Sequence, residues 1–180
     1  MKHKEINLDI GAGSGKSLIE RAKENPDQYF IGVEPSMARG FSSETYPSNI
    51  LWVKGKASCK EPLPIKSASV NEVNIDFAFV FLYGAEENTN SFREGALKMI
   101  KEGLRVLKPD SSLLIREPQY MLGELIPIMT EAGIKFSFAP IPLEKAMEHS
   151  NSGREFAQEA KFGDKESHPY LIWITKDGSF

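Results

Sequence analysis

Short apolar runs that stop at glycine, proline or polar residues recur along the chain and predict strands. Runs of four to eight residues that are rich in β-branched and aromatic side chains are typical of strands buried in a parallel sheet. The predicted strands are Ile6–Ile10, Tyr29–Val33, Ile50–Val53, Val70–Ile75, Leu113–Ile115, Ile134–Pro140 and Tyr170–Thr175.

Apolar residues spaced three and four apart predict helices between these strands. The clearest helix is Ser91–Leu107, which ends at Lys108–Pro109, and others are predicted over Ser17–Lys23 and Leu122–Ala132. Helix signals between Glu34 and Pro47 are weaker. Because parallel strands need crossover connections, the alternation of strand and helix predicts an α/β fold with helices on both faces of the sheet.

The segment 141–169 interrupts this alternation between the last two strands. It is long and charged, and it contains helix signals over Leu143–Glu148 and Arg154–Lys161 around a turn at Asn151–Gly153. Long connections in compact domains are usually functional or disordered. The segment is therefore either an insertion or lid, or a solvated connector.

The composition is that of one globular domain spanning 1–180. The chain is 41% hydrophobic and 26% charged, and no apolar run approaches the roughly 20 residues that cross a bilayer. With no signal peptide apparent, we expect a cytoplasmic protein. Cys59 stands alone, and His3, His149 and His168 lack ligand spacing, so no metal site is expected. The net charge of −3 disfavours a nucleic-acid substrate without excluding one.

The segment from Asp9 to Ser17 places a glycine-rich turn between a predicted strand and a predicted helix. Gly15-Lys16-Ser17 matches the end of a nucleotide-binding P-loop, but the first glycine of that motif falls on Ile10. A dinucleotide-binding motif needs a third glycine at Lys16 and also fails. An acidic residue followed by Gly11-x-Gly13-x-Gly15 matches without a gap.

This last pattern resembles motif I of the class I S-adenosylmethionine-dependent methyltransferases. The carboxylate of Asp9 suits a ligand with an ammonium and a sulfonium, whereas it repels a triphosphate. Glu34 ends the second predicted strand about 20 residues on, where an acidic residue accepts hydrogen bonds from ribose hydroxyls. The alternative is that Glu34 is a helix N-terminal carboxylate.

The resemblance spans Ile6 to about Arg116 and implies further site residues. It implies a three-layer, doubly wound, mostly parallel seven-stranded sheet with an antiparallel last strand. It also implies S-adenosylmethionine as cofactor, bound by these residues: Asp9, Gly11, Gly13, Gly15, Glu34, Ala57 and Ser58. Lys56 stands where family members commonly have Asp near the adenine, which puts that contact in doubt.

Two groups within the family show local likeness. The stretch from Asn25 to Glu34 is similar to the transfer-RNA guanine methyltransferases, and the region from Asn49 to Gly84 is faintly similar to ribosomal-RNA adenine methyltransferases. The former have a Pro-Asp-Pro-Trp run after the fourth strand, whereas this chain has Asp76-Phe77-Ala78-Phe79. Neither likeness identifies the methyl acceptor.

Polar and aromatic residues at the end of the fourth predicted strand are candidates for the acceptor side. They are Asn74, Asp76, Phe77, Phe79 and Tyr83. Asp76 is the candidate substrate-orienting group or base, or else a helix cap or surface carboxylate. The alternating aromatics Phe77, Phe79, Phe81 and Tyr83 either stack a planar substrate or, as is usual for such alternation in a strand, pack in the core. Arg116 and Glu117 serve substrate polarity or pair with each other.

The sequence thus predicts a methyltransferase whose acceptor, be it RNA, protein or a small molecule, is not identified. Methyl transfer needs few catalytic groups, because much of the rate comes from holding the acceptor in line and excluding water. Two rival interpretations remain: a non-catalytic cofactor-binding or partner-binding domain of the same fold, and a P-loop-like nucleotide-binding protein.

Overall fold

A computed structural model describes residues 4–35, 46–58, 61–85, 89–145, 151–161 and 165–176. The strands are β1 (Ile6–Ile10), β2 (Tyr29–Glu34), β3 (Ile50–Lys54), β4 (Val70–Asp76), β5 (Leu107–Pro118), β6 (Ser137–Pro140) and β7 (Pro169–Thr175). The helices are α1 (Lys16–Glu24), α2 (Ala78–Ala85), α3 (Thr89–Val106), α4 (Gln119–Glu131) and α5 (Asn151–Lys161), with a 3₁₀ turn at Lys165–Ser167.

The strands form one sheet in the order β3-β2-β1-β4-β5-β7-β6. β7 runs antiparallel to both β5 and β6, and the other neighbouring pairs are parallel. The predicted seven-stranded, mostly parallel sheet with an antiparallel last strand is confirmed. The strand order reverses direction between β1 and β4, and in such sheets ligands bind beyond the carboxyl ends of the strands at this point.

Helices cover both faces of the sheet, as the alternation predicts. Gly103 of α3 packs against Leu113 and Val73, while Leu18 of α1 lies against Gly32 on the opposite face. A main core of buried aliphatic and aromatic side chains forms around β1, β4 and β5, and its fully enclosed members include Leu8, Val73 and Ile115. This core holds the carboxyl ends of β1 and β4 side by side.

The clearest departure from the sequence prediction is α2. Aromatic residues at every second position from Phe77 to Tyr83 are typical of a strand, yet Ala78–Ala85 is helical. Every residue of α2 is apolar, aromatic or glycine, so the helix has no polar face and leaves no 3.6-residue pattern to read. No helix was predicted here, and the strand-like alternation of the aromatics does not reflect a strand.

Other differences concern boundaries. Leu107 belongs to β5 and not to the preceding helix, and β5 is longer than Leu113–Ile115 because it resumes pairing after an irregularity at Pro109 and Asp110. β6 is confined to Ser137–Pro140. The predicted helix Arg154–Lys161 lies within α5. Several other predictions lie outside the described residues: most of the weak helix signals between Glu34 and Pro47, the end of the predicted helix Leu143–Glu148, and the side chains of Cys59, His3 and His149.

Two features are absent from the described residues. No helix there has the length and apolar character of a membrane span. No group of three or more His, Cys, Asp or Glu side chains there is placed to hold a metal ion.

Candidate functional site

A cavity of about 670 Å³ opens over the carboxyl ends of β1, β2 and β4, where the strand order reverses. Five of the predicted cofactor residues line it: Asp9, Gly11, Gly13, Glu34 and Ala57. Two predicted acceptor-side residues, Asn74 and Asp76, line it as well. Its volume lies within the range of about 300–1,000 Å³ typical of small-molecule sites.

The glycine turn forms one wall of the cavity through its backbone. Gly11, Gly13 and Gly15 all have positive φ, at 75°, 55° and 71°. A Cβ on Gly11 would lie 2.8 Å from Cβ of Ala78, so the turn and α2 approach too closely for any other residue there. Gly15 precedes α1 and is not among the residues that line the cavity.

The N–H groups of this turn already have protein partners. Gly11 and Ala12 donate to the carbonyl oxygen of Val33 at 2.8 and 3.1 Å, and Gly15 donates to that of Ala12 at 2.8 Å. Gly13 donates to Oε2 of Glu34 at 3.0 Å. These four groups are therefore not arranged as a nest of free donors for an anion.

Asp9 is held in a buried ion pair behind the turn. Its Oδ1 accepts a hydrogen bond from Nη1 of Arg21 at 2.9 Å, and Nη2 of Arg21 reaches Oε1 of Glu72 at 3.2 Å. Burial raises the pKa of Asp9 to about 6, although the positive charge of Arg21 opposes the rise. Arg21 has its own pKa raised, since Asp9 and Glu72 outweigh the opposing effect of burial.

The segment after β3 contributes less than the resemblance implies. Ala57 is 5% exposed and lines the cavity, and exposed Lys56 lines it in place of the family's usual Asp. Ser58 does not line the cavity; its Oγ is buried and accepts or donates no hydrogen bond within the described part of the chain. Ser58 is thus not at the cavity surface.

On the acceptor side, β4 and β5 are joined by one guanidinium. Nη1 of Arg116 donates to Oδ1 of Asp76 at 2.7 Å and to Oδ1 of Asn74 at 2.8 Å. Nδ2 of Asn74 donates in turn to Oε1 of Glu72 at 2.8 Å. The side chains of Arg116 and Asp76 are only 11% and 18% exposed. Arg116 therefore pairs with Asp76 on the neighbouring strand. It does not pair with Glu117, which was the sequence-based alternative.

The four alternating aromatics separate into two environments. Phe77 and Phe79 are fully buried. They therefore pack in the core and do not stack a substrate. Tyr83 is 46% exposed, but it packs edge-on against Phe92 and does not line the cavity. Phe81 is 66% exposed and does line it.

Glu117 and Arg21 are contributors that the motifs did not reveal. Glu117 is fully buried, and its Oε1 accepts the N–H of Phe79 at 2.8 Å in the first turn of α2. Burial raises the pKa of Glu117 well above its usual range, and the charge of Asp76 adds to this effect. Glu117 thus fixes the start of α2, and Arg21 fixes Asp9. Two sequence signals could have identified them: Glu117 is an ionisable residue within a strand, and Arg21 is a basic residue of α1 close to the apolar positions Leu18 and Ala22.

Comparison with known proteins agrees with this geometry. A family model described as "Putative methyltransferase" matches residues 3–77. A tRNA (guanine-N(7)-)-methyltransferase of Actinobacillus succinogenes is 50% identical over 32 residues, which are 18% of this chain and 13% of that protein. The chain therefore spans only a small part of this curated relative's length.

Solved structures resemble the whole chain at low identity. The 16S rRNA methyltransferase KamB matches 98% of this chain and 90% of its own, with a TM-score of 0.60 and 16% identity. A 16S rRNA adenine methyltransferase from Catenulisporales acidiphilia, determined with its cosubstrate S-adenosylmethionine, matches 98% and 88%, with a TM-score of 0.59 and 15% identity. The chain has the class I, Rossmann-like methyltransferase fold, and residues 3–77 are similar in sequence to a family described as "Putative methyltransferase".

Proposed function

We propose that this chain is a cytoplasmic S-adenosylmethionine-dependent methyltransferase. The observation that carries the proposal is the wall made by the glycine turn and Glu34, in which the N–H groups of Gly11, Ala12, Gly13 and Gly15 donate to protein oxygens. Such a wall offers close backbone approach without an anion nest, which suits a cationic thioether nucleoside better than a polyphosphate.

The charges around the cavity are nearly balanced. Three carboxylates line it, those of Asp9, Glu34 and Asp76, together with the ammonium groups of Lys16 and Lys56. Two of these carboxylates are already paired with arginine, Asp9 with Arg21 and Asp76 with Arg116. The P-loop interpretation is therefore disfavoured by the spacing of its glycines and not by the charge of the cavity.

We assign roles to the lining residues as part of this proposal. Glu34 accepts hydrogen bonds from the ribose hydroxyls, Asp9 faces the amino-acid end, and Ala57 lies along the adenine. Gly11 and Gly13 give the space in which the methionine part lies. When bound, S-adenosylmethionine supplies a methyl group on sulfur, and the protein's task is to hold an acceptor in line with it.

Asp76 is the proposed acceptor-orienting group. Its carboxylate lines the cavity and is fixed by Arg116 at 2.7 Å, so its direction is set before any acceptor arrives. Preorganised polar groups of this kind need not reorganise during the reaction. Asn74 is 2% exposed and bonded on both sides, which gives it the role of supporting Asp76.

The connection 141–169 is the proposed cover of the acceptor side. Within it, Phe156 of α5 stacks on Phe77 with ring centroids 5.2 Å apart, and Phe77 directly follows Asp76. Phe156 also meets Tyr120 edge-on at 6.4 Å. These contacts put α5 against the turn that carries Asp76.

The second candidate is a non-catalytic domain that binds the cofactor or a partner. Lys56 in place of the usual Asp favours it, as does the lack of a Pro-Asp-Pro-Trp run at Asp76–Phe79. An assay with methyl-labelled S-adenosylmethionine distinguishes an enzyme from a binding domain. The chain is incubated with cell extract, with and without ribonuclease, and transfer of the label is measured. The enzyme transfers label to an extract component, and the binding domain transfers none.

Calorimetry tests the cofactor itself. We expect S-adenosylhomocysteine to bind with micromolar affinity and ATP to bind at least tenfold more weakly. A micromolar affinity for ATP with no binding of S-adenosylhomocysteine would overturn the proposal in favour of the nucleotide-binding rival.

A further inference from the structure

α2 has an exposed aromatic residue that its own packing does not explain. The helix is apolar on every side, and helices of that kind are normally enclosed. Phe79 and Leu82 are buried as expected, yet the ring of Phe81 is 66% exposed. Tyr83 of the same helix is also exposed, at 46%, but its ring packs against Phe92 and does not line the cavity, so Phe81 is the exposed ring of α2 that a ligand in the cavity can contact.

Phe81 lies at the cavity and not on a remote part of the surface. It lines the same space as Gly11 and Asp76, and Ala78, one turn earlier in α2, packs against Gly11. Phe138, an exposed phenylalanine of β6 with 46% exposure, does not line this cavity. The exposed face of α2 is thus continuous with the site proposed for methyl transfer.

Asp76 provides a polar group in the same cavity. Its Oδ1 is held by Arg116, whereas its second oxygen accepts no hydrogen bond from the described residues. An ionised carboxylate can accept hydrogen bonds but cannot donate them, so this oxygen selects a ligand that presents N–H or O–H groups.

We propose that Phe81 is the platform on which a planar, N–H-bearing heterocycle stacks as methyl acceptor, with the second oxygen of Asp76 receiving its N–H. This inference rests on the proposed function and names its substrate class. An aromatic face and a fixed hydrogen-bond acceptor together suit a flat ring with an edge donor, such as a nucleobase or a free heterocyclic amine.

The chemical step balances without a further reactant. An exocyclic amino nitrogen forms a bond to the methyl carbon while the carbon–sulfur bond breaks and its electron pair passes to sulfur. The nitrogen gains the positive charge that sulfur loses, and it then releases its proton to bulk water. Asp76 orients the nitrogen before the step and stabilises the charge that develops on it.

Substitutions at Phe81 test the ring and not merely its bulk. Phe81→Leu keeps an apolar side chain and removes the aromatic face, and Phe81→Tyr keeps that face. Phe138→Leu is the matched control at an exposed phenylalanine outside the cavity. Each variant is checked by thermal melting, by S-adenosylhomocysteine calorimetry, and by transfer of labelled methyl into the RNA and small-molecule fractions of extract.

We expect Phe81→Leu to lower methyl transfer about tenfold, the size of a lost stacking contact, with the S-adenosylhomocysteine Kd unchanged within twofold. Phe81→Tyr and Phe138→Leu should remain within about threefold of the wild type, since a threefold change is well under one stacking contact. Label that is released by ribonuclease identifies a base in RNA, and label in the small-molecule fraction identifies a free heterocycle. Both outcomes support the proposal.

Three outcomes overturn it. Full transfer by Phe81→Leu would show that no ring stacks there, and an equal loss of S-adenosylhomocysteine binding would assign the ring to the cofactor. Label found only on protein would contradict the substrate class. A wild-type chain that binds no S-adenosylhomocysteine, or binds it and transfers no label, fails at an earlier step and so removes the proposed function itself.

Discussion

The two walls of the cavity are built by different means. The wall from β1 and β2 is mostly backbone: two glycines at positive φ, Gly11 and Gly13, with a carboxylate from each strand beside them. The wall from β4 and α2 is mostly side chains: Asp76 fixed by Arg116 from β5, and the exposed ring of Phe81.

This difference separates what is general from what is specific. A backbone wall fits any ligand with the right shape and charge and depends on few side chains, so many proteins can share it. A wall of cross-linked side chains depends on pairs distant in sequence and is free to vary with the acceptor. We therefore expect changes on the two walls to have different consequences.

Loss of the Arg116 guanidinium should have the largest effect on stability. Arg116→Met leaves Asp76 charged, largely buried and unpaired, and such changes cost about 3–5 kcal/mol of unfolding free energy. Arg93→Met is the control, because the Arg93–Glu131 pair is exposed and should contribute no more than about 1 kcal/mol. Urea unfolding measures both. Equal effects for the two variants would show that the acceptor wall is not organised by Arg116.

A methyl group at Gly11 should damage the backbone wall more than one at Gly13. Gly11→Ala combines left-handed backbone with a 2.8 Å approach to Ala78, and overpacking adds about 1–3 kcal/mol to the strain. Gly13→Ala has positive φ but no neighbour within 4 Å, so only the backbone cost of about 1–2 kcal/mol applies. Thermal melting compares them, and a Gly13→Ala variant as unstable as Gly11→Ala would contradict the close contact between the turn and α2.

Removal of the Glu34 carboxylate should weaken the cofactor without unfolding the chain. Glu34→Ala loses hydrogen bonds from two hydroxyls to a charged group, worth about 1.5–3 kcal/mol, or roughly 10- to 100-fold in affinity. Glu34→Gln keeps one acceptor oxygen and should lose less. Calorimetry with S-adenosylhomocysteine gives both values. An unchanged Kd in Glu34→Ala would remove Glu34 from the cofactor site.

The protonation of Asp9 should have the smallest effect, and a distinctive one. Burial raises the pKa of Asp9 from 3.8 to about 6, so the folded chain takes up a proton as the pH falls through 6. This group's contribution to stability then increases as the pH falls from 6 towards 4, because the unfolded chain binds that proton only at lower pH. Affinity for the cationic cofactor should decrease over the same range, by roughly threefold to tenfold.

Asp9→Asn provides the control for this pH dependence. It should bind S-adenosylmethionine about as weakly at pH 7.5 as the wild type does at pH 5, and its affinity should not change between these values. Calorimetry at the two pH values measures this. An affinity that falls equally in Asp9→Asn would place the titrating group elsewhere.

The sequence was informative about the backbone wall because its signals are local. Asp9, Gly11 and Gly13 lie within five residues, and Glu34 follows at the end of the next strand, so strand ends and turn residues alone place them together. The sheet was predictable for the same reason, since short apolar runs and helical spacing each depend on neighbouring residues.

The acceptor wall was less predictable because its contacts are long-range. Arg116 reaches Asp76 and Asn74 across 40 and 42 residues, and Glu117 reaches Phe79 across 38. No local pattern announces such pairs. α2 was missed for a different reason: an apolar helix without a polar face has the same residue types as a buried strand, and only its packing against Gly11 and Glu117 decides between them.

A crystal structure of the chain with S-adenosylhomocysteine would test directly whether the cavity binds the cofactor. We expect density for the nucleoside in the cavity, with the ribose hydroxyls at Glu34 and the amino-acid part over Gly11 and Gly13. An empty cavity at saturating ligand, or a nucleoside bound anywhere else, would contradict it.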